Sequence, residues 1–476
     1  MKKRILLTFF ALLSLYAYTQ TVTTSEEIYV GSAEGYGIIG KFSDRVLFFT
    51  LDDGKVKVKG FDTKLHKVWD KEIEPDRKNH AKVVEVLNSR QDFNVIYQFR
   101  RKGQNFIKVH KYDPQVKLLD SATVYMWSKE LVSPTLLSTY SEDKKILLIY
   151  EVTSGSHINA LAVSLDSLRP IWYQSFDFKN WNDYDNFTQV IVNNRGDAFF
   201  MREEENRGGD MDKHHVLIKH INGTAPKQFM APLKDLYSLD IKFSYDNVNQ
   251  QLVAVGVFSV KNFVRAQGYY LLTMTPPFAD FKIMTKPFDD EFVSAIMGKK
   301  ITDNKGILDL QVQEIVHRRD GGVMAVIEQV KEVARQGNMV PNTGRLWSRT
   351  DGLRLPMDFY YDNVMAITMT PEGTIHWKSI LYKKQVSQDD GARYCSYFLF
   401  KSPSALRFLF NDEIERATTV SEYVLNGAGE SERHTIMNTD GQDIHLRFRD
   451  AMQVAANEVI VPSDDRRRVK LLKITY

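Results

Sequence analysis

The sequence predicts an all-β fold: a single β-propeller of eight four-stranded blades, with seven as the alternative, its last blade closed by the N-terminal strand. Three observations predict it. Short β-rich runs recur along the chain with turns roughly 45 to 56 residues apart, except for one gap of about twice that which holds a long insertion; this is the period of a unit of four short strands. One pattern returns three times: an alternating apolar strand, a polar turn, then a strand carrying tryptophan. Long stretches of 3.6-residue periodicity are scarce, which argues against an α/β enzyme fold and against Rossmann, P-loop or TIM-barrel chemistry.

The three clear copies are Val56 to Asp62 followed by Trp69, Leu161 to Asp166 followed by Trp172, and Ala366 to Pro371 followed by Trp377. Weaker copies turn near Pro114, Gly223, Pro277 and Gly427. With strands lettered a to d from axis to rim, the third blade reads as 134–140, 145–152, 159–166 and 171–178. The fifth reads as 239–245, 252–260, 268–275 and 281–288, and residues 288–300 have room for a helical turn or two before the next blade. Seven blades cover about Tyr36 to Thr439. The tail supplies only three more strands, at 445–453, 458–462 and 468–476, while 27–32 is an orphan strand near the start. Each fragment completes the other if the N-terminal strand becomes strand d of blade 8, which removes the open sheet edge.

Composition bounds the function. The 476 residues carry 63 Lys and Arg against 60 Asp and Glu. Lys2-Lys3-Arg4, an apolar run from Ile5 to Tyr18 and polar Thr19-Gln20-Thr21 form a three-part secretory signal over residues 1–19, cut between 17 and 20. The run falls short of the roughly 20 residues that span a bilayer. Its removal takes three cations and leaves the two signs equal at 60 each. A nucleic-acid partner is therefore not expected, because phosphate binding calls for a basic surplus. The mature chain, with its propeller over 27–476, has no transmembrane segment. It is expected to be exported, in the periplasm first and at the cell surface or secreted as alternatives.

Cys395 is the only cysteine, so an intrachain disulfide is excluded, and its alternating strand-like setting predicts a buried, inert thiol. No HExxH, CxxC, calcium loop or Gly-x-Ser-x-Gly elbow is present, and neighbouring His214 and His215 point apart on a strand. No cofactor, metal or catalytic residue is predicted.

Trp69, Trp172 and Trp377, each on an outer strand after a turn, resemble the tryptophan-docking blades of quinoprotein-type and WD40-like propellers. The Ala and Gly positions preceding the tryptophan there, and the vicinal cysteine pair, are mostly or wholly missing, so the resemblance implies geometry and not quinone chemistry. A second resemblance rests on Tyr361 to Met369, Gly373 to Trp377, Lys383-Lys384-Gln385, Asp389-Asp390-Gly391 and Leu409 to Asp412. These are similar to a family of uncharacterised exported β-strand proteins of Bacteroidota, which implies a setting and not a reaction. Asp120-Ser121-Ala122 and Asp166-Ser167-Leu168 are similar to the short O-glycosylation signal of such exported proteins.

Candidate binding residues follow from loop lengths. The b–c loops and d–a connections share one face of a propeller, and the a–b and c–d turns share the other. The c–d turns at 63–66, 167–170 and 371–374 are short, whereas two b–c loops are long, at 202–213 and about 331–358. The second carries Arg335, Arg345, Trp347, Arg349 and Arg354, and loops of that length are usually functional. On the same face, Trp181, Asp183, Tyr184 and Asp185 offer rings to stack on sugars and carboxylates to accept hydroxyl protons, and Lys384, Gln385, Asp389 and Asp390 form a second polar cluster. Paired carboxylates such as Asp389/Asp390 or Asp464/Asp465 suit acid–base work only with distant partners, since sequence neighbours point apart. The expected function is a non-catalytic binding or scaffold propeller for a protein partner or a glycan. The alternative is a carbohydrate-active or other hydrolytic propeller with its site at the channel mouth.

Overall fold

The computed structural model describes residues 20–31, 33–76, 78–127, 135–153, 157–178, 187–204, 215–233, 236–261, 264–278, 280–303, 305–335, 356–412, 414, 419–442, 444–465 and 467–476. It is an eight-bladed propeller. Blades 1 to 7 are antiparallel sheets over 35–73, 82–127, 137–177, 189–232, 237–287, 310–388 and 398–438. Blade 8 takes strands a to c from Met452–Ala455, Glu458–Asp465 and Arg468–Thr475, and its outer strand from the N-terminus.

Ring closure follows the expected plan with a shifted boundary. Thr21–Thr24 pairs with Thr475 to Leu472, and Ile28–Tyr29 pairs with Val469 and Arg468. The closing strand therefore starts upstream of the expected 27–32. Three residues oppose two between the segments, a bulge that Ser25 fills: its N–H donates to the Leu471 carbonyl at 2.8 Å and its Oγ accepts the Leu471 N–H at 2.9 Å. The expected first tail strand at 445–453 is also shorter. Only Met452–Ala455 is strand, because a 3-10 turn at Phe448–Asp450 buries Phe448 under blades 7 and 8. The predicted helical turns appear as Asp290–Met297, whose N-cap Asp289 accepts the Phe292 N–H at 2.8 Å.

Alternation of side chains gives each blade two apolar faces. Lys55–Phe61 reads polar–apolar throughout, with Val56 and Val58 buried, while Gln251–Ser259 is buried almost continuously because both its faces meet neighbours. Among the described residues, one apolar cluster fills each of the eight seams between adjacent blades. The seams are also tied at the rim of the a–b/c–d face, where a donor of one blade reaches a c–d turn carbonyl of the next. Lys71 Nζ reaches Gln115 O, Lys111 Nζ reaches Asp166 O, Gln174 Nε2 reaches Gly223 O, Trp377 Nε1 reaches Gly427 O and Lys473 Nζ reaches Thr63 O. Trp172 instead donates to Gly196 O, in the a–b turn of the next blade, at 2.8 Å. The turns themselves are set by their first residue: Asp62 Oδ1 accepts the Lys64 and His66 N–H groups, and Asn426 Oδ1 those of Ala428 and Glu430. Gly429, in the left-handed region at φ 87°, lies against the Trp377 ring, where a Cβ would come within 2.6 Å of it.

The seam of blades 1 and 2 holds a buried histidine. His110 lies between Tyr97 Oη at 2.9 Å and Tyr112 Oη at 3.0 Å. Burial, with the Lys108 charge behind it, pushes the imidazole down to about 4. The folded protein thus holds it neutral while the unfolded chain protonates near pH 6.5.

Two predictions test this frame. Ile28 is buried in the closing strand, so Ile28→Ala is expected to lower stability to urea by about 2–4 kcal/mol. A loss comparable to that of an exposed strand residue would show that the ring does not depend on this strand. For His110, the stabilisation is full above pH 6.5 and falls as pH drops toward 4. Between pH 7 and 5 the wild type should lose about 1–2 kcal/mol more than His110→Gln. Parallel pH profiles of the two proteins would remove histidine from the account.

Candidate functional site

Blade 6 departs from the common plan and builds the polar centre of the b–c/d–a face. Its strand b (Val323–Ala334) and strand c (Met357–Met369) outrun their neighbours. The paired ladder continues to Ala334 and Met357, so the insertion expected over 331–358 begins and ends on a rigid stem. Strand d also continues. After Ile375–Leu381, residues Tyr382, Lys383 and Lys384 oppose only Asp362 and Asn363, and Gln385–Gln388 then pairs with Asp358 to Tyr361. Residues expected to be part of a d–a connection are thus an outer strand of the stem. A small apolar cluster of Val330, Phe359, Tyr361, Ala392 and Cys395 underlies it.

The bulge turns the Lys383 side chain inward. Its Nζ forms an ion pair with Glu328 Oε1 at 2.7 Å and donates to Tyr361 O at 2.8 Å and to Gln385 Oε1 at 2.9 Å. Both members of the ion pair are almost wholly excluded from solvent, at 2% and 0% exposure. Glu328 accepts a further bond from Ser396 Oγ at 2.8 Å. Arg449 stacks on the Tyr361 ring at 4.6 Å and brings a second cation near Glu328. Burial pushes the Tyr361 hydroxyl up to about 12. Cys395 is buried as expected; desolvation pushes its thiol up to about 11, and its Sγ contacts Ser387 Oγ. A thiol so placed is a poor nucleophile.

The second polar cluster of the sequence divides. Gln385 is buried: its Oε1 accepts the Ser396 N–H at 2.7 Å and its Nε2 donates to Asn411 O at 2.7 Å, tying blade 6 to blade 7. Lys384 is exposed. Asp389 and Asp390 diverge. Asp389, in the left-handed region at φ 54°, binds the Arg335 guanidinium and accepts the Met357 N–H at 2.8 Å. The bond from Arg335 holds its carboxyl below the usual range. Arg335 Nε also meets Asp358 Oδ1 at 3.1 Å, so one cation clamps both carboxylates at the base of the insertion. Asp390 instead accepts from Ser387 Oγ at 2.9 Å and from the Ala392 N–H at 2.8 Å.

Asp464 is the hub of a further group, where blades 1, 7 and 8 meet. Tyr394 Oη donates to its Oδ1 at 2.9 Å and Tyr36 Oη to its Oδ2 at 3.1 Å. Arg447 reaches the same Oδ2 at 3.3 Å and also pairs with Asp450, and Arg393 approaches at 3.6 Å. Burial and the Asp464 charge push the Tyr36 hydroxyl up to about 12.

Trp181, Asp183, Tyr184 and Asp185 lie outside the described residues, as do Arg345, Trp347 and Arg349. Sequence reasoning missed Glu328, placed Lys383 in a polar d–a connection, and weighed Asp464 only as a partner for Asp465. A signal was present. The sixth residue of strand b is polar and buried in six blades: Thr50, Gln98, Glu151, Glu328, Asn411 and Ser463. Several of these hold the d–a connections. Asn411 Nδ2 donates to Tyr394 O and Leu446 O, and Ser463 Oγ accepts the His445 N–H at 2.8 Å.

Among the described residues, no three His, Cys, Asp or Glu side chains are grouped to hold a metal. A recess of about 370 Å³ lies at the rim instead, between the helix Asp290–Met297 and strand d of blade 6, lined by Phe292, Lys378, Ile380 and Tyr382 among others.

No protein-family model matches the sequence, and no curated protein matches it. Solved propeller structures resemble the fold. Dipeptidyl peptidase 4 of Porphyromonas gingivalis is 10% identical with a TM-score of 0.46, over 91% of this chain and 56% of that one. The β-propeller domain of the Trilobed protease from Pyrococcus furiosus is 11% identical with a TM-score of 0.37, over 84% of this chain and 98% of that one. Polysaccharide lyase Uly1 is 8% identical with a TM-score of 0.36, over 95% and 99%. This chain spans about half the length of the peptidase. At such identities the likeness is one of fold alone.

Lys383→Met would leave the Glu328 carboxylate buried beside a neutral side chain. It is expected to lower stability by about 3–5 kcal/mol in urea unfolding at pH 7, with Glu328→Gln in the same chain restoring much of it. A single-variant loss under about 1 kcal/mol would show that water reaches the carboxylate.

Proposed function

We propose that this chain is an exported binding or scaffold propeller that holds a protein partner on its b–c/d–a face, over blades 6 to 8. The observation that carries the reading is the stem of blade 6. Three strands rise beyond the blade, stand on their own apolar cluster and are clamped at the tip by Arg335 between Asp358 and Asp389. A rigid pedestal of this kind presents a recognition segment at low entropic cost to binding. The charges around it support binding over chemistry. Glu328 is matched by Lys383, and Asp464 by two tyrosines and two arginines, which leaves each carboxylate committed to a structural partner. Export is supported by Lys2-Lys3-Arg4 and the apolar run from Ile5 to Tyr18, and the proposed compartment is the periplasm. No helix among the described residues is long and apolar enough to cross a membrane.

The test is crosslinking and pull-down of tagged full-length protein from its own cells, beside a variant lacking residues 336–353 and beside Arg335→Ala. The deletion should leave the melting temperature within a few degrees and abolish one specific crosslinked partner, and Arg335→Ala should weaken it. A partner retained by both variants would place recognition elsewhere. If neither form captures a partner while a glycan array gives hits and slow turnover, the hydrolytic reading replaces this one.

A further inference from the structure

The outer strands of blade 3 carry a polar arrangement that the face over blades 6 to 8 does not involve. Strand c (His157–Ser164) and strand d (Arg169–Asp177) pair His157 with Asp177, Asn159 with Ser175, and Leu161 with Tyr173. Strand alternation puts all six side chains on the side that meets blade 2, where Leu161 enters the shared apolar cluster. Tyr125, from strand d of blade 2 (Leu118–Trp127), stacks on Tyr173 with ring centres 4.5 Å apart and planes 23° from parallel.

The polar groups of this ladder are fixed from below. Glu151, at 1% exposure, accepts the Asn159 Nδ2–H at 2.8 Å. That bond sets which way the Asn159 amide faces, so its Oδ1 accepts from Tyr173 Oη at 2.9 Å and from Ser175 Oγ at 2.6 Å. His157 Nδ1 and Asp177 Oδ1 are 2.7 Å apart at the outer end. Unlike the network around Glu328, this one opens to solvent: Tyr173 is 37% exposed, and the His157 and Asp177 side chains are 43% and 67% exposed. Exposed asparagine, serine and tyrosine side chains ordinarily sample several rotamers, and locking them removes an entropic penalty that a ligand would otherwise meet.

We propose that the seam between blades 2 and 3 is a binding site for a neutral pyranose sugar, presented as a terminal unit of a glycan. The Tyr125–Tyr173 pair offers an aromatic surface to the C–H face of the ring. Asn159, Ser175 and the His157–Asp177 pair offer alternating acceptors and donors along the strands at a spacing of about 7 Å between every second residue. The exposed Asp177 carboxylate at the outer end repels an acidic sugar, which selects a neutral one. The site is independent of the partner face on blades 6 to 8.

The test uses full-length protein, a glycan array, and saturation-transfer NMR with methyl β-glucopyranoside and methyl α-mannopyranoside. At least one pyranose should bind saturably with a Kd of about 1 mM for the monosaccharide. Tyr173→Ala and Asn159→Ala should each weaken it by about tenfold or more, while Tyr173→Phe, which keeps the ring and loses the hydroxyl, should fall between. Melting curves that match the wild type show that the variants fold. Absence of any saturable sugar signal, or binding unchanged in Tyr173→Ala, overturns the proposal.

Discussion

The ring depends on its seams. Each blade is a four-stranded sheet with two apolar faces, and neither face is covered until a neighbour packs on it. Eight clusters do this work among the described residues, and the eighth exists only if the two ends of the chain meet. There, Ile28 and Ile38 from the N-terminal part pack on Ile460, Val469 and Leu471 from the tail. The closing strand contributes few rungs, yet it converts an open row of blades into a cycle and covers the last exposed edge. Asp464 reinforces the same junction, since Tyr36 of blade 1 and Arg447 before blade 8 converge on it.

A second layer of order lies near the b–c/d–a face. Strand b becomes polar at its sixth position, where the d–a connections cross, and the polar side chain satisfies connection backbone or a neighbouring side chain that has left any ladder. Blades 6 to 8 carry this furthest, with Glu328, Asn411 and Ser463 holding the connections before blades 7 and 8. The same position in blade 3 is Glu151, which orients an exposed ladder instead of a buried connection. One repeated structural device thus serves closure of the core in one half of the ring and organises a surface in the other.

Much of the architecture was legible because it rests on local pattern. Alternating runs and Asp- or Asn-led turns placed the strands of blades 3 and 5 within a few residues. The short fragment at each end identified velcro closure. The errors fell where tertiary packing overrides pattern: residues 445–453 alternate like a strand, but Phe448 is drawn into the core and the segment turns. The polar sites were less legible. Lys383 and Gln385 read as part of a polar d–a connection open to a ligand, because a three-against-two bulge that points them inward leaves no mark in composition. Asp389 and Asp390 diverge as strand neighbours do, but the capture of Asp389 by Arg335, 54 positions earlier, required the fold.

By itself, then, the sequence determined the all-β repeat, a plan of eight blades with seven as the alternative, the mode of closure and the inert character of Cys395. Those follow from side-chain periodicity and turn chemistry, which act over a few residues. Only the tertiary structure decided which charges meet: Lys383 with Glu328, Asp464 with two tyrosines and two arginines, Asn159 with Glu151 beneath Tyr173. Such pairs join positions on different strands and blades, and their energies depend on burial and on distances of about 3 Å that no linear pattern encodes.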